Sequence, residues 1–136
     1  MRSTFGTVFL IGSTLFAAWT SWISFSAPGT FGRQLGFALA GIDGRNEIRA
    51  QYGGFFLAVA IASILALAGV IPRQAAFLVN AVLFGGLITG RVMSLAVDSG
   101  GGEYGPLIRA LFFIDAAGFI LSLAALYLDR FRAPAS

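Results

Sequence analysis

Four long apolar stretches dominate the chain, at residues 5–26, 47–71, 74–97 and 106–128. Each has about the 20 residues that a helix needs to cross a hydrocarbon core roughly 30 Å thick. Helix-ending residues separate them: Pro28-Gly29 follows the first stretch, Pro72 lies between the second and third, and a glycine-rich run precedes the fourth. The pattern predicts an all-α integral membrane protein, in which residues 1–136 form a single four-helix bundle.

The connection after the first stretch is the longest, and it combines apolar side chains with glycines and an arginine. Phe31, Leu35, Phe37 and Leu39 lie within it, beside Arg33. This composition predicts a short amphipathic helix that lies on or dips into the membrane interface. A partly ordered loop is the alternative interpretation.

The first stretch also has two interpretations. Arg2, the apolar run and the small residues up to Ala27 are features of a cleaved signal peptide. The run is long for a signal core, however, and Trp19 and Trp22 lie where amphipathic rings favour the headgroup region. We therefore expect a first transmembrane helix.

Composition narrows the chemistry that is available. Hydrophobic residues make up 57% of the chain, charged residues only 11%, and the net charge is +3. The sequence contains no cysteine and no histidine, which excludes disulfides, thiol chemistry, Cys or His metal sites, histidine-ligated haem and Ser-His triads. We predict no metal, cofactor or catalytic residue. The charges are too sparse for a nucleic-acid partner, whereas a quinone or a lipid is compatible with the composition.

Four spans place both termini and the turn at Arg73 on the same side of the membrane. The arginines divide almost equally between the two sides of the membrane, so their number alone does not determine the orientation of the protein. Several arginines of the opposite side fall within spans, where we expect carboxylates to pair with them. Paired arginines do not hold a loop on the cytoplasmic side, and we therefore expect cytoplasmic termini.

Ionisable residues within the spans converge on the half of the membrane opposite the termini. Such residues are costly in lipid and mark either function or a specific packing contact. They occupy the first turns of the second span, where Gln51 accompanies them, the end of the antiparallel third span, and the beginning of the fourth. The predicted polar network comprises Glu47, Arg49, Tyr52, Arg91, Ser94, Asp98, Arg109 and Asp115.

Depth along the spans predicts how this network is paired. Asp115 lies roughly 15 Å into the fourth span and Arg91 roughly 10 Å inside its own, so Asp115 or Glu47 should neutralise Arg91. One interpretation is an ion-pair network that fixes helix register. The other is a polar cavity that binds a small molecule or relays protons. Asn80 is the comparable polar residue in the opposite half.

Glycines suggest where two of the helices approach each other. Gly53-Gly54 in the second span lies at the depth of Gly86 and Gly90 in the third, a small-xxx-small pattern. This predicts close packing of the second and third spans through these glycines. Residues 100–102, a run of three glycines, are expected to form a flexible turn because no P-loop lysine follows.

Two short motifs resemble a known group of proteins. The string Glu47-Ile48-Arg49-Ala50-Gln51-Tyr52-Gly53-Gly54, followed by Gly90-Arg91 with Ser94 and Asp98, is similar to a family of small four-helix bacterial membrane proteins of unknown function, distantly DoxX-like. The resemblance implies a four-helix fold in a bacterial inner membrane. Some DoxX-like proteins are linked to quinone or thiol redox chemistry, and this chain has no cysteine for the latter.

The sequence leaves functions of different classes open. The first is a non-enzymatic accessory or assembly component of a larger membrane complex or a homo-oligomer. The alternative is a protein that binds a quinone, lipid or small anion in a polar cavity lined by arginines. A quinone-dependent oxidoreductase, with Tyr52, Glu47 or Asp115 passing protons, is a third hypothesis that no motif selects.

Overall fold

A computed structural model describes residues 3–39, 41–97 and 103–131 of the chain. The described residues form the helices α1 (Thr4–Ser26), α2 (Pro28–Gln34), α3 (Gly41–Ile48), α4 (Phe55–Leu67), α5 (Arg73–Val97) and α6 (Pro106–Phe131), with a π-helical segment at Arg49–Gly54. Because α3, the π-helical segment and α4 are continuous, we call Gly41–Leu67 span 2. This span, α1, α5 and α6 are each long and apolar enough to cross a membrane, which confirms the predicted four-helix architecture.

The boundaries of the spans differ modestly from the predicted ones, for local reasons. The Ser3 hydroxyl accepts a hydrogen bond from the backbone N–H of Gly6 at 3.2 Å and so caps α1. Span 2 begins at Gly41 rather than at residue 47, and it ends at Leu67 rather than at residue 71. Gly69 has a φ of +77°, a conformation that ends the helix and that glycine adopts without strain.

The spans pack as two pairs, α1 with span 2 and α5 with α6, and α4 joins the pairs by packing against α5. The buried face of α1 consists of small or hydroxylated residues and one leucine, at alternating spacings of three and four. These residues are Gly6, Leu10, Ser13, Ala17, Thr20 and Ser24, and Ser21 is also buried beside Thr20. Large apolar side chains such as Leu15 and Val82 lie on the outer surface of the bundle instead. The distribution suits helices that pack closely and face lipid outward.

A buried arginine, Arg73, links three helices at the end of the bundle where α1 begins and α6 ends. Arg73 donates a hydrogen bond from Nη2 to the backbone carbonyl of Ser3 at 3.2 Å, and its Nε lies 3.2 Å from Oδ2 of Asp129. The start of α1, the start of α5 and the end of α6 therefore meet. This geometry confirms that Ser3, Arg73 and Asp129 lie at the same end; Arg2 and Arg132 fall outside the described residues.

The opposite end is closed by α2, in the connection for which the sequence predicts an interfacial helix or a loop. A helix is present, but Phe31 and Leu35 are buried against Ile48 and against Leu107 and Leu111 of α6. The apolar side chains of α2 thus pack onto the end of the bundle. Burial against protein is the favourable outcome here because the helix ends leave an apolar surface that the seven-residue helix can cover.

The predicted glycine contact between the second and third spans is wrong. A Cβ atom at Gly86 or Gly90 would meet no atom of the described residues within 4 Å. A Cβ at Gly53 would lie 2.8 Å from the ring of Phe25, so span 2 packs closely against α1 at this glycine. Between α5 and α6, a Cβ at Gly118 would lie 2.6 Å from the ring of Phe84. The close approaches are therefore within the two helix pairs, where aromatic rings occupy the space above glycines.

Candidate functional site

A buried ion pair links α5 and α6 in the half of the bundle opposite the termini. Arg91 donates from Nε to Oδ2 of Asp115 at 2.5 Å, and the side chains are 16% and 2% exposed. The guanidinium carbon also lies 5.7 Å from the centre of the Phe112 ring. Pairing with a carboxylate and contact with a ring face offset the cost of an arginine within the apolar bundle. Arg91 is therefore neutralised by Asp115, one of the two partners expected from depth.

Tyr52 of span 2 is held by two aromatic contacts. Its ring stacks on Phe56, with planes 5° apart, and meets Phe31 edge to face at 5.4 Å. It is half-buried and within electrostatic range of both Arg91 and Asp115. Two ring contacts restrict the side chain to one position, which presents its hydroxyl in a defined place.

Tyr52 belongs to the π-helical segment at Arg49–Gly54. Such segments are rare and occur often at functional sites, because the i→i+5 hydrogen bonds alter the direction of the side chains that follow. Here the segment turns Gly53 toward α1 and its Phe25, while the ring of Tyr52 packs against Phe31 of α2.

A large groove separates span 2 from α5 on the outer surface of the bundle. Its volume is about 1110 Å³, slightly above the roughly 300–1,000 Å³ of ordinary ligand pockets. Most of its lining is apolar, with Val59 from α4 and Leu78, Val82 and Leu87 from α5. Gly86 also lines it, and the open space above this glycine is part of the groove.

One end of the groove carries three polar side chains, those of Glu47, Gln51 and Tyr52. The Gln51 amide donates from Nε2 to Oε1 of Glu47 at 3.2 Å, one helical turn away. This bond orients the carboxylate and leaves its second oxygen for another donor. A smaller apolar cleft of about 410 Å³ lies between α1 and α6, and none of the described residues that line it is charged. The polar end therefore distinguishes the larger groove.

The structure does not bring the whole predicted network together. Arg49 is exposed and donates from Nε to the backbone carbonyl of Phe25 at 3.3 Å, on the side of α1. Arg109 is also exposed. The Ser94 hydroxyl lies 3.1 Å from the hydroxyl of Tyr104. Asp98 is outside the described residues.

These positions correct the predicted cavity lined by arginines. Among the described residues, no arginine lines the large groove, and its one ionised side chain is that of Glu47. The predicted network divides instead into the Arg91–Asp115 pair inside the bundle and the Glu47–Gln51 pair on the surface. Arg49 belongs to neither pair. It lies two residues from Glu47 and therefore projects from a different face of the helix.

A second buried polar cluster lies in the terminal half, around Asn80, whose partners the sequence analysis did not identify. The Ser13 hydroxyl donates to Oδ1 of Asn80 at 2.5 Å, and Nδ2 of Asn80 donates to the Ala76 carbonyl at 2.9 Å and to the Ser63 hydroxyl at 3.4 Å. This cluster ties three spans together. A detectable signal existed, since Asn80 follows Arg73, itself buried, by seven residues on the same face of α5.

The described residues offer no metal site, because no three Asp or Glu side chains converge in this part of the chain. Comparisons of the chain with protein families, with characterised proteins and with solved structures found no match. The resemblance to DoxX-like proteins stays a prediction from two short motifs, and the function has to be argued from the groove and its polar end.

Proposed function

We propose that this protein binds a long-chain amphiphile, a lipid or an isoprenoid quinone, in the groove between span 2 and α5. The chain of the ligand lies along the apolar part of the groove. Its head lies at Glu47, Gln51 and Tyr52. The site differs from the arginine-lined cavity expected from the sequence, because these three residues take the place of the arginines.

The length of the groove is the observation that carries this proposal. Its lining extends on span 2 from Gly44 to Val59, which is about 20 Å of helix. On α5 it extends from Leu78 to Leu87, about 14 Å. A compact ligand would leave most of such a groove empty, whereas a hydrocarbon chain parallel to the helices fills it. Apolar walls with a few polar groups at one end are the surface that an amphiphile requires.

The buried Arg91–Asp115 pair serves this site by fixing the helices around it. It joins α5, which forms one wall, to α6 behind it. An ion pair of this kind specifies one helix register, since any slip of α5 would separate the charges. We assign it a positioning role, in keeping with the packing interpretation of the network.

An accessory role in a larger membrane complex would put a partner helix in the same groove. The polar end favours the amphiphile. A transmembrane helix satisfies its own backbone groups and would need a matching polar side chain opposite Glu47, whereas an amphiphile always has a polar head beside its chain.

We also infer that the protein resides in a bacterial inner membrane with cytoplasmic termini, so that Glu47 and the head of the ligand are on the periplasmic side. The inference rests on the distribution of arginines and on the resemblance to small bacterial membrane proteins.

Native mass spectrometry after extraction in a mild detergent tests the binding proposal. We expect the parent protein to retain an amphiphile, and Gly86→Leu to lose most of it because the leucine fills the groove. Gly90→Leu is the matched control: its Cβ also enters open space on α5, and Gly90 does not line the groove. Equal retention by the two variants, or a tightly bound partner protein in place of the ligand, would contradict the proposal.

A further inference from the structure

We infer that the polar end of the groove selects amphiphiles whose head carries a protonated primary amine, through the carboxylate of Glu47. The inference rests on the proposed binding function and names the chemical class of its ligand. It follows from the charge and the hydrogen-bonding capacity of the residues at that end.

Glu47 sets the sign of the charge that the groove accepts. Its carboxylate is the one ionised group among the described residues that line the groove. The adjacent Arg49 is directed to the Phe25 carbonyl on the side of α1, so it does not neutralise this end of the groove. Glu47 is exposed on the surface of span 2, so its carboxylate is open to a ligand head and would repel a negatively charged one. A cationic group would be attracted to it.

The hydrogen-bonding groups at this end favour a ligand that donates. Gln51 uses an amide N–H for Oε1 of Glu47, which leaves Oε2 of Glu47 and the amide oxygen of Gln51 as acceptors. The Tyr52 hydroxyl both donates and accepts. A primary ammonium has three N–H donors for these oxygens. A quinone head only accepts and a trimethylammonium head cannot donate, so neither would supply a donor for Oε2 of Glu47.

The position of Glu47 suits the amine of a lipid head. Glu47 lies near the end of α3, and the apolar walls follow from Ile48 toward Val59. When the hydrocarbon chain of the ligand lies between Tyr52 and Val59, the polar head of the ligand lies beside the first turns of the apolar part of span 2. The rigid placement of Tyr52 between Phe31 and Phe56 keeps the boundary between head and chain at a constant depth.

A competition experiment tests the selection. The purified full-length protein is reconstituted in nanodiscs of phosphatidylethanolamine, phosphatidylcholine and phosphatidylglycerol with identical acyl chains, and retained lipids are counted by native mass spectrometry. We expect about a tenfold enrichment of phosphatidylethanolamine over phosphatidylglycerol, the size of one charge-assisted hydrogen bond. Glu47→Gln should remove this enrichment. Asp43→Asn is the matched control, an exposed acid of the same helix outside the groove lining, and should keep it.

The outcomes separate this inference from the proposed function. Retention without headgroup preference in the parent protein, or a preference unchanged by Glu47→Gln, would overturn the selection by Glu47 and leave the groove as a binding site. A parent protein that retains neither phospholipid nor quinone would overturn the proposed function itself.

Discussion

Removing one member of the Arg91–Asp115 pair should destabilise the bundle far more than removing both. Asp115 is 2% exposed and Arg91 16%, so either side chain left alone would be a buried charge without its partner. Stranding a buried charge in this way costs about 3 kcal/mol or more. Arg91→Met and Asp115→Leu should each lower the free energy of unfolding by that amount, since the replacements keep apolar volume and remove the charge.

The stability of the double variant shows whether Arg91 and Asp115 are partners. With both charges gone, the site is apolar and no group is stranded, so Arg91→Met/Asp115→Leu should recover most of the loss. Two single losses of about 3 kcal/mol each, with only a small loss in the double variant, give a coupling energy of about 5 kcal/mol for the double-mutant cycle. Arg109→Met is the control: Arg109 is exposed on the same helix as Asp115, and its replacement should stay within about 0.5 kcal/mol.

Reversible unfolding in mixed micelles, followed by circular dichroism against the fraction of denaturing detergent, measures these free energies. Losses from the two single variants that simply add in the double variant would refute the pairing. A double variant as stable as the parent that no longer retains an amphiphile would show that the pair acts on the groove as well as on stability.

Two further predictions concern packing and orientation. Gly118→Ala should lower the free energy of unfolding by about 1–3 kcal/mol, because the new methyl group would lie 2.6 Å from the buried ring of Phe84, whereas Gly86→Ala should be nearly silent; equal thermal stabilities would contradict the assigned helix contacts. For orientation, Val70→Cys in the turn after span 2 should resist an impermeant thiol reagent in intact cells while Asp43→Cys reacts. Both positions are exposed, and the reverse labelling pattern would place the termini outside.

The four spans were predictable because a helix that crosses a bilayer requires a long apolar run, and four such runs are present. The Arg91–Asp115 pair was predictable for a related reason: few charges lie at that depth, and each needs a partner. The two boundaries of span 2 were less accurate because Gly41 and Leu67 lie at turns whose backbone geometry hydropathy does not record.

The groove and the glycine contacts were not predictable from the sequence. Gly53 was matched to Gly86 and Gly90 by depth alone, and depth does not determine which neighbouring helix a glycine faces; in the structure Gly53 lies in the π-helical segment and faces Phe25 of α1. Glu47 and Arg49 looked like one cluster because they are close in sequence, and only the helix geometry separates them. The buried face of α1 does follow a regular spacing of three and four residues, yet its serines and glycines are too small to mark it by hydrophobicity.

Selective photo-crosslinking tests the groove as a binding site most directly. A photoreactive residue is placed at Leu78, which lines the groove and is 46% exposed, or at Leu95 of the same helix, which is outside the groove lining and 49% exposed. After irradiation in native membranes, mass spectrometry identifies the adducts. The account predicts that adducts at position 78 are enriched in one class of amphiphile, while those at position 95 follow the composition of the bulk membrane. Adducts of the same bulk composition at both positions would contradict a specific binding site.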